Sequence, residues 1–268
     1  MSLSLSIRNI VKVSLIVPVY RAEPWIAECM ASIRAQTYKD IELIVIDDSQ
    51  ASGAAAARNR GLDKATGEFI AFCDADDYME PDAIEKMVAA MDGVGLVCGS
   101  FRKFGDFEQI VTHPTETLSL EQVADYVMEN LRNPRSHQML SGCWAKLYRR
   151  ELVEHFPILT TAEDMAFNFD YLIRCYSYNV RFISNIVYNN RKHAGTLTTT
   201  FDAGNKSGLF GFLSALRYVR HFLEICYRGD EIESAIDNAK VYHSILYFTR
   251  ICAQAGEPIN HVFKKLYP

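Results

Sequence analysis

Asp74, Asp76 and Asp77 place three carboxylates directly after the apolar run Phe69-Ile70-Ala71-Phe72-Cys73. Like charges this close repel, and desolvation beside a core makes the repulsion worse. A hard divalent cation such as Mg²⁺ or Mn²⁺ relieves it. Such ions take oxygen ligands, often one or two carboxylates, and diphosphate oxygens complete the shell. The competing reading is a solvated acidic turn between a strand and the helix that begins near Pro81, because a short Asp-x-Asp pattern recurs by chance. The elements around the cluster decide between the two.

The run before the acids is short, rich in Phe and Ile, and opened by Gly67. It reads as a strand buried on both faces inside a parallel sheet. In open α/β sheets, ligands bind outside the carboxyl ends of such strands. Upstream, Val13 to Pro18 reads as a first strand that proline ends. Pro24 opens a helix whose apolar face is Ile26, Cys29, Met30 and Ile33, and Ile41 to Ile46 is a second strand that runs into Asp47-Asp48. Ala54 to Lys64 reads as helical. Ile84, Met87, Val88 and Met91 mark a further helix, and Leu96 to Phe101 a further strand. Strands alternating with helices of this size imply βαβ crossovers and a mostly parallel sheet.

The second half reads differently. Ser119-Leu120-Glu121-Gln122 is a capping-box pattern ahead of a helix, and Ser136 to Leu147 is polar and irregular with a lone Trp144. Glu163 to Tyr176 has helical spacing, Val180 to Tyr188 is strand-like, and from Ser207 the pattern is helical. Boundaries near residues 110 and 203 divide the chain into an α/β half (1–110), a second, less regular half (111–203) and a helical extension (204–268).

Composition narrows the function classes. A chain of 268 residues, 49% hydrophobic, supports one large α/β domain with an appended piece. A net charge of −5 argues against bulk nucleic-acid binding. Seven cysteines with no C-x-x-C pair fit reduced, buried thiols in a cytoplasmic protein. No apolar run reaches the length that spans a bilayer, and the first ten residues lack a signal peptide's continuous apolar region.

Several stretches together resemble the family 2 glycosyltransferases of the GT-A fold. They are Val13 to Tyr20, Ser32 to Tyr38, Glu42 to Asp48, Ala57-Arg58-Asn59-Arg60-Gly61 and Ala65 to Asp77. Lys146 to Arg150, Glu163-Asp164 and Arg191 to Thr196 follow in the family's order. The resemblance covers about residues 12 to 200. It implies a GT-A α/β sheet flanked by helices, and an inverting transfer of a sugar from a nucleotide-diphosphate donor, a UDP-sugar first, to an acceptor hydroxyl on a saccharide or lipid carrier. Pro18, Val19 and Tyr20 would hold the base, and Asp48 would accept its N–H. Arg58 would stand among the donor-binding residues. Asp74 would face the ribose or the metal, and Asp76 would ligate the metal on the diphosphate. Asp164 would be the general base, with Glu163 the runner-up. Arg191 or His193 would close over the diphosphate. The resemblance also implies a cytoplasmic enzyme of glycan biosynthesis with peripheral membrane contact.

The residues alone leave other roles open. Asp48 can cap a helix, and Glu163-Asp164 at a helix start suit the dipole alone. Lys146 and Arg149 read equally well as solvated surface charges. One departure from the family bears on the base pocket: it places a helix and a strand between the second-strand acids and the Ala-Arg-Asn block, and here only Ser49 to Ala57 separates Asp48 from Arg58. Our expectation is a flexible excursion missing from the numbering; a true loss would put base recognition in doubt. Nucleotidyltransferases and dehydrogenases are set aside because Pro18 to Glu23 lacks the glycines of a phosphate loop. A phosphatase would carry its Asp-x-Asp after the first strand. A nucleotide-sugar- or glycan-binding protein without turnover is the non-enzyme alternative.

Overall fold

The computed structural model describes residues 11–50, 52–133, 140, 142–193, 207–227 and 229–255. Residues 194–196 of the Arg191 to Thr196 block, residues 136–139 and 141 of the irregular stretch, the boundary near residue 203 and the first ten residues lie outside these ranges.

The order of elements is β1 (Val13–Val19), α1 (Ile26–Arg34), β2 (Ile41–Asp47), α2 (Ala54–Leu62), β3 (Phe69–Phe72), β4 (Tyr78–Met79), α3 (Ala83–Ala89) and β5 (Val94–Gly105). Then come β6 (Gln109–Val111), β7 (Glu116–Leu118), α4 (Leu120–Arg132), β8 (Lys146–Arg149), α5 (Glu163–Arg174), β9 (Asn179–Lys192), α6 (Ser207–Cys226) and α7 (Ile232–Ala255). The strands form one sheet in the order β2-β1-β3-β8-β5-β9-β4, with β6 on β5 and β7 on β9. β1 pairs in parallel with β2 and β3, and β5 pairs in parallel with β9. β8 is set antiparallel between β3 and β5. Most paired positions lie in the parallel ladders, so the expected α/β architecture holds, with the antiparallel pairings made by β4, β6, β7 and β8.

The buried runs are apolar for the reason that parallel sheets require. Val13 to Val17 and Phe69 to Phe72 are buried on both faces. Gly67 lets the chain enter β3 against β1: a Cβ there would lie 2.6 Å from Ser14 N and 2.8 Å from Lys12 O. Gly61 does the same for α2, where a Cβ would meet the Ile16 side chain at 2.4 Å.

β8 overturns the reading of Lys146 as a solvated charge. Lys146 is 2% exposed, and its Nζ donates to Gly142 O at 2.5 Å and Trp144 O at 3.4 Å. Arg149 is likewise turned inward, its Nε donating to Val94 O at 2.8 Å. Both cations end a strand whose backbone fills the gap between β3 and β5. Their ladder bonds and the carbonyls around them outweigh the pull of water on the charge.

The C-terminal helices close the core. Leu216, Val219, Phe222 and Leu223 of α6 are buried, and Phe222 meets Phe169 of α5 with ring centroids 5.6 Å apart. Each such side chain contributes about 1.5–3 kcal/mol. Asn238 of α7 donates to Leu131 O and Arg132 O at the end of α4. Much of the apolar stripe after Ser207 is thus intramolecular core, while Phe210, Ile225, Val241 and Ile245 stay exposed. Among the described residues no helix is long and apolar enough to cross a membrane.

Candidate active site

The carboxyl ends of β1, β2 and β3 bring the first group together. Pro18 and Val19 stand beside Ile46 and Asp47 in the parallel ladder, and Val19 O accepts from Asp48 N at 2.8 Å. Tyr20 follows, 44% exposed, with the Arg21 guanidinium 5.1 Å from its ring centroid. Arg21 itself sits at φ 49°, a left-handed conformation that costs an L-residue energy and fixes how the loop leaves the strand.

Asp48 closes the short link to α2. Its Oδ1 accepts from Ser52 N at 3.2 Å and from the Ser52 hydroxyl, and Oδ2 accepts from Gly53 N at 3.1 Å. Arg60 Nη2 donates to Oδ1 at 2.8 Å. Gly53 turns the chain at φ 93°, and α2 begins at the next residue. On either side of residue 51, Ser49, Gln50, Ser52 and Gly53 lead from β2 to α2 around this carboxylate. Burial alone would raise the Asp48 pKa, but the bonds from Ser52, Arg60 and Gly53 outweigh it and hold it below the usual carboxylate value.

Arg58 is the centre of the second group. It is the fifth residue of α2 and 3% exposed. The resemblance puts it on the donor; in the fold its guanidinium pairs with three carboxylates. Nη2 donates to Asp74 Oδ1 at 2.8 Å, and Nη1 to Glu163 Oε1 at 3.0 Å and Asp164 Oδ1 at 2.8 Å. Cys143 N donates to Asp164 Oδ2 at 3.3 Å. Asp164 lies in the first turn of α5, and Ala162 ahead of that helix is left-handed at φ 59° with no side-chain cap. Burial raises the Asp164 carboxyl, Arg58 pulls it down, Glu163 and Asp74 push it up and the Cys143 N–H lowers it, and the balance stands at about 7. The sequence-predicted metal residue and base are thus joined by one side chain.

The third group fastens the end of β9 to the acidic loop. Asp77 is 2% exposed and accepts from Tyr188 OH at 2.8 Å, Asn190 Nδ2 at 2.9 Å and Arg191 N at 2.6 Å. Tyr188 OH also accepts from Asp74 N at 3.0 Å. Arg191 Nε donates to Asp76 O at 3.0 Å, and its guanidinium pairs with Glu28. His193 Nε2 lies 3.2 Å from Asp76 Oδ2, and the imidazole packs on Trp25 with centroids 4.0 Å apart. Burial, then Asp74, pushes both Asp76 and Asp77 above the usual carboxylate range. Trp25, Cys143 and Tyr188 carry no site role that the sequence reveals. Only the place of Trp25 just after the first-strand loop hints at one.

Among the described residues no cluster of three or more His, Cys, Asp or Glu side chains could hold a metal ion by itself. The side chains of Asp74 and Asp76 are nevertheless 26% and 30% exposed, and Asp74, Asp76, Asp77, Glu163 and Asp164 outnumber the cations beside them. A two-carboxylate set with a surplus of negative charge suits a hard cation whose other ligands arrive with a bound anion.

A model of the family described as Glycosyl transferase family 2 matches residues 14–52 and 49–156, and the match breaks within the short link after Asp48. The putative glycosyltransferase EpsH of Bacillus subtilis is 27% identical over 287 residues, covering 95% of this chain and 80% of EpsH. That alignment is longer than the chain's 268 residues, so EpsH carries residues with no counterpart here. Two solved structures share the fold. S. aureus TarS 1-349 in complex with UDP-GlcNAc has a TM-score of 0.66 at 18% identity, over 85% of this chain and 71% of that one. The mannosyltransferase PcManGT from Pyrobaculum calidifontis, in complex with GDP-Man and Mn²⁺, has a TM-score of 0.54 at 17% identity, over 95% and 79%. With the GT-A α/β fold and the matched blocks in place, the chain belongs to glycosyl transferase family 2 and is a glycosyltransferase.

Proposed function

We propose that the enzyme moves a sugar, with inversion, from a UDP-linked donor to an acceptor hydroxyl in glycan biosynthesis, with a divalent cation on Asp74 and Asp76 and with Asp164 as the base. The observation that carries this reading is the bridge from Asp74 through Arg58 to Asp164. It sets a cation-suited carboxylate and a near-neutral carboxylate beside each other. TarS bound to UDP-GlcNAc supports a uridine donor, and PcManGT bound to GDP-Man and Mn²⁺ supports the cation.

When bound, the cation supplies Lewis-acid compensation for the charge on the leaving diphosphate. The chain's own residues do the rest. Tyr20 offers its exposed ring to the base. Asp48 Oδ2, bonded within the turn to Gly53 N, accepts the base N–H. Arg191 and His193, on the β9 side of Asp76, hold the diphosphate. Asp164 takes the proton from the acceptor hydroxyl as its oxygen bonds to the anomeric carbon of the donor sugar, on the face opposite the diphosphate, whose bond to that carbon breaks. A base with pKa near 7 combines availability with driving force near neutral pH. Residues 1–110 bind the donor and 111–203 the acceptor, and within the extension 204–268 the helices α6 and α7 brace α4 and α5. The acceptor is a saccharide or a lipid-linked saccharide met at the inner membrane face.

The second reading is a nucleotide-sugar-binding protein without turnover, which would keep the donor site and lack the transfer step. A thermal-shift panel of UDP, GDP, CMP and dTDP sugars with and without Mn²⁺ tests the first step, since a ligand that binds only the folded state raises the Tm. A shift for UDP sugars that needs Mn²⁺ is expected; no shift with any sugar would overturn both readings.

A further inference from the structure

Arg58 has the wrong surroundings for a donor ligand and the right ones for a different task. It is buried, so it has little surface to offer a phosphate. Nη1 is committed to Glu163 and Asp164 and Nη2 to Asp74, while Nε is buried with no hydrogen-bond partner among the described residues. Leaving a guanidinium N–H unsatisfied is costly, and a fork aimed solely at its own best bonding would not be built this way. The orientation serves the carboxylates. Those carboxylates come from two elements far apart in the chain: the loop after β3 and the first turn of α5.

We propose that Arg58 is a positioning residue for the transfer step. Its two terminal nitrogens hold Asp164 and Asp74 at a fixed separation, so that the base meets the acceptor hydroxyl in line with a donor anchored at the acidic loop. The planar fork matters because it reaches two carboxylate groups from two defined directions, which an ammonium cannot do. Phe156, whose ring centroid is 5.4 Å from the guanidinium carbon, and the Asn59 contacts to Phe156 N and O lock the stem of α2 on the same side. Cys143 N holds the other oxygen of Asp164, so the carboxylate is fixed at both ends. A misplacement on the order of 1 Å costs about 100-fold in rate.

This rests on Asp164 being the base, and the experiment separates the two claims. Arg58→Met, Arg58→Lys, Asp164→Asn and the double variant Arg58→Met/Asp164→Asn are compared with the wild type. UDP release from UDP-GlcNAc with Mn²⁺ gives turnover, and calorimetry gives UDP-GlcNAc affinity. The expected result is a loss of about 100-fold in kcat for Arg58→Met with donor affinity kept, and a smaller loss for Arg58→Lys. Adding Arg58→Met to Asp164→Asn should cost little more, because residues acting as a unit are not additive. The double variant also removes a carboxylate left without its partner, so it covers the case in which Arg58→Met fails to fold. Parallel loss of affinity and turnover would make Arg58 a donor ligand and overturn the proposal. So would unchanged kcat in Arg58→Lys, or full additivity in the double variant. If wild-type turnover survives Asp164→Asn, the base assignment fails, whatever Arg58 does.

Discussion

Asp48 and Asp164 are both sheltered carboxylates that lean on an arginine of α2, and they end up with opposite acidities. Asp48 is served by near neighbours in the chain: Ser52 and Gly53 bond it from the turn that follows, and Arg60 from α2. Its pKa falls. Asp164 shares one guanidinium with Asp74 and Glu163, and its pKa rises to about 7. Burial raises both but weighs more on Asp164, which lies deeper and also shares its donor with two other acids. A fully served carboxylate holds a turn; an under-served one keeps an appetite for a proton.

The sharpest way to break this contrast is to remove each charge. Asp164→Asn should lower turnover by about 10²–10⁴-fold with donor affinity retained. Asp48→Asn should loosen the β2–α2 turn and weaken donor binding, with little change in the turnover of bound donor. Steady-state kinetics beside calorimetry read both, and equal kinetic behaviour of the two variants would end the comparison.

The arginines differ in the same way. Truncating Arg58 leaves three acids facing one another in a buried site, which costs about 3–5 kcal/mol of folding stability. Arg60 has 43% of its side chain exposed, and Arg60→Ala should cost about 1 kcal/mol or less after solvent screening. Urea unfolding of the two variants measures the gap.

Acidity gives a third handle, with the sign set by proton binding. Folded Asp164 binds its proton more tightly than the unfolded chain does, so its contribution raises stability as pH falls from about 7 towards 3.8. Asp76 and Asp77, also raised, push in the same direction. Asp48, lowered from 3.8, contributes stability that is present above that value and is lost as pH falls further. Asp164→Asn should therefore flatten part of the rise below pH 7 and leave the acid loss intact. Turnover should climb through an apparent pKa of about 7, because only the ionised base accepts a proton.

The smallest expected effect is at the backbone. Ala162 and Ala145, at φ 59° and 55°, flank the two sides of the Asp164 site. Ala162→Gly should relieve up to about 1 kcal/mol of strain and loosen the start of α5. A gain in stability with a fall in kcat would show that the strain positions Glu163-Asp164.

Much of this is legible in the residues. The long apolar strands, the amphipathic helices, the acid cluster and the order of the family's blocks all appear in the sequence. So does the short link after Asp48, as a plain count of residues. What escapes is tertiary. β4 has two residues, β6 and β7 have three each, and β8 has four with a cation at each end, so periodicity has nothing to grip. Arg58 meets Glu163 and Asp164 across 105 and 106 residues of chain, and no local spacing announces that. Cys143 acts through its backbone N–H, which no residue type reveals.

The central claim, a cation on the acidic loop that grips the donor's diphosphate, is tested most directly by titrating UDP-GlcNAc into wild type and Asp76→Asn with and without Mn²⁺. Mn²⁺ should tighten donor binding to the wild type and leave Asp76→Asn unaffected. Donor affinity that ignores Mn²⁺ in the wild type, or an Mn²⁺ response that survives Asp76→Asn, would contradict the account.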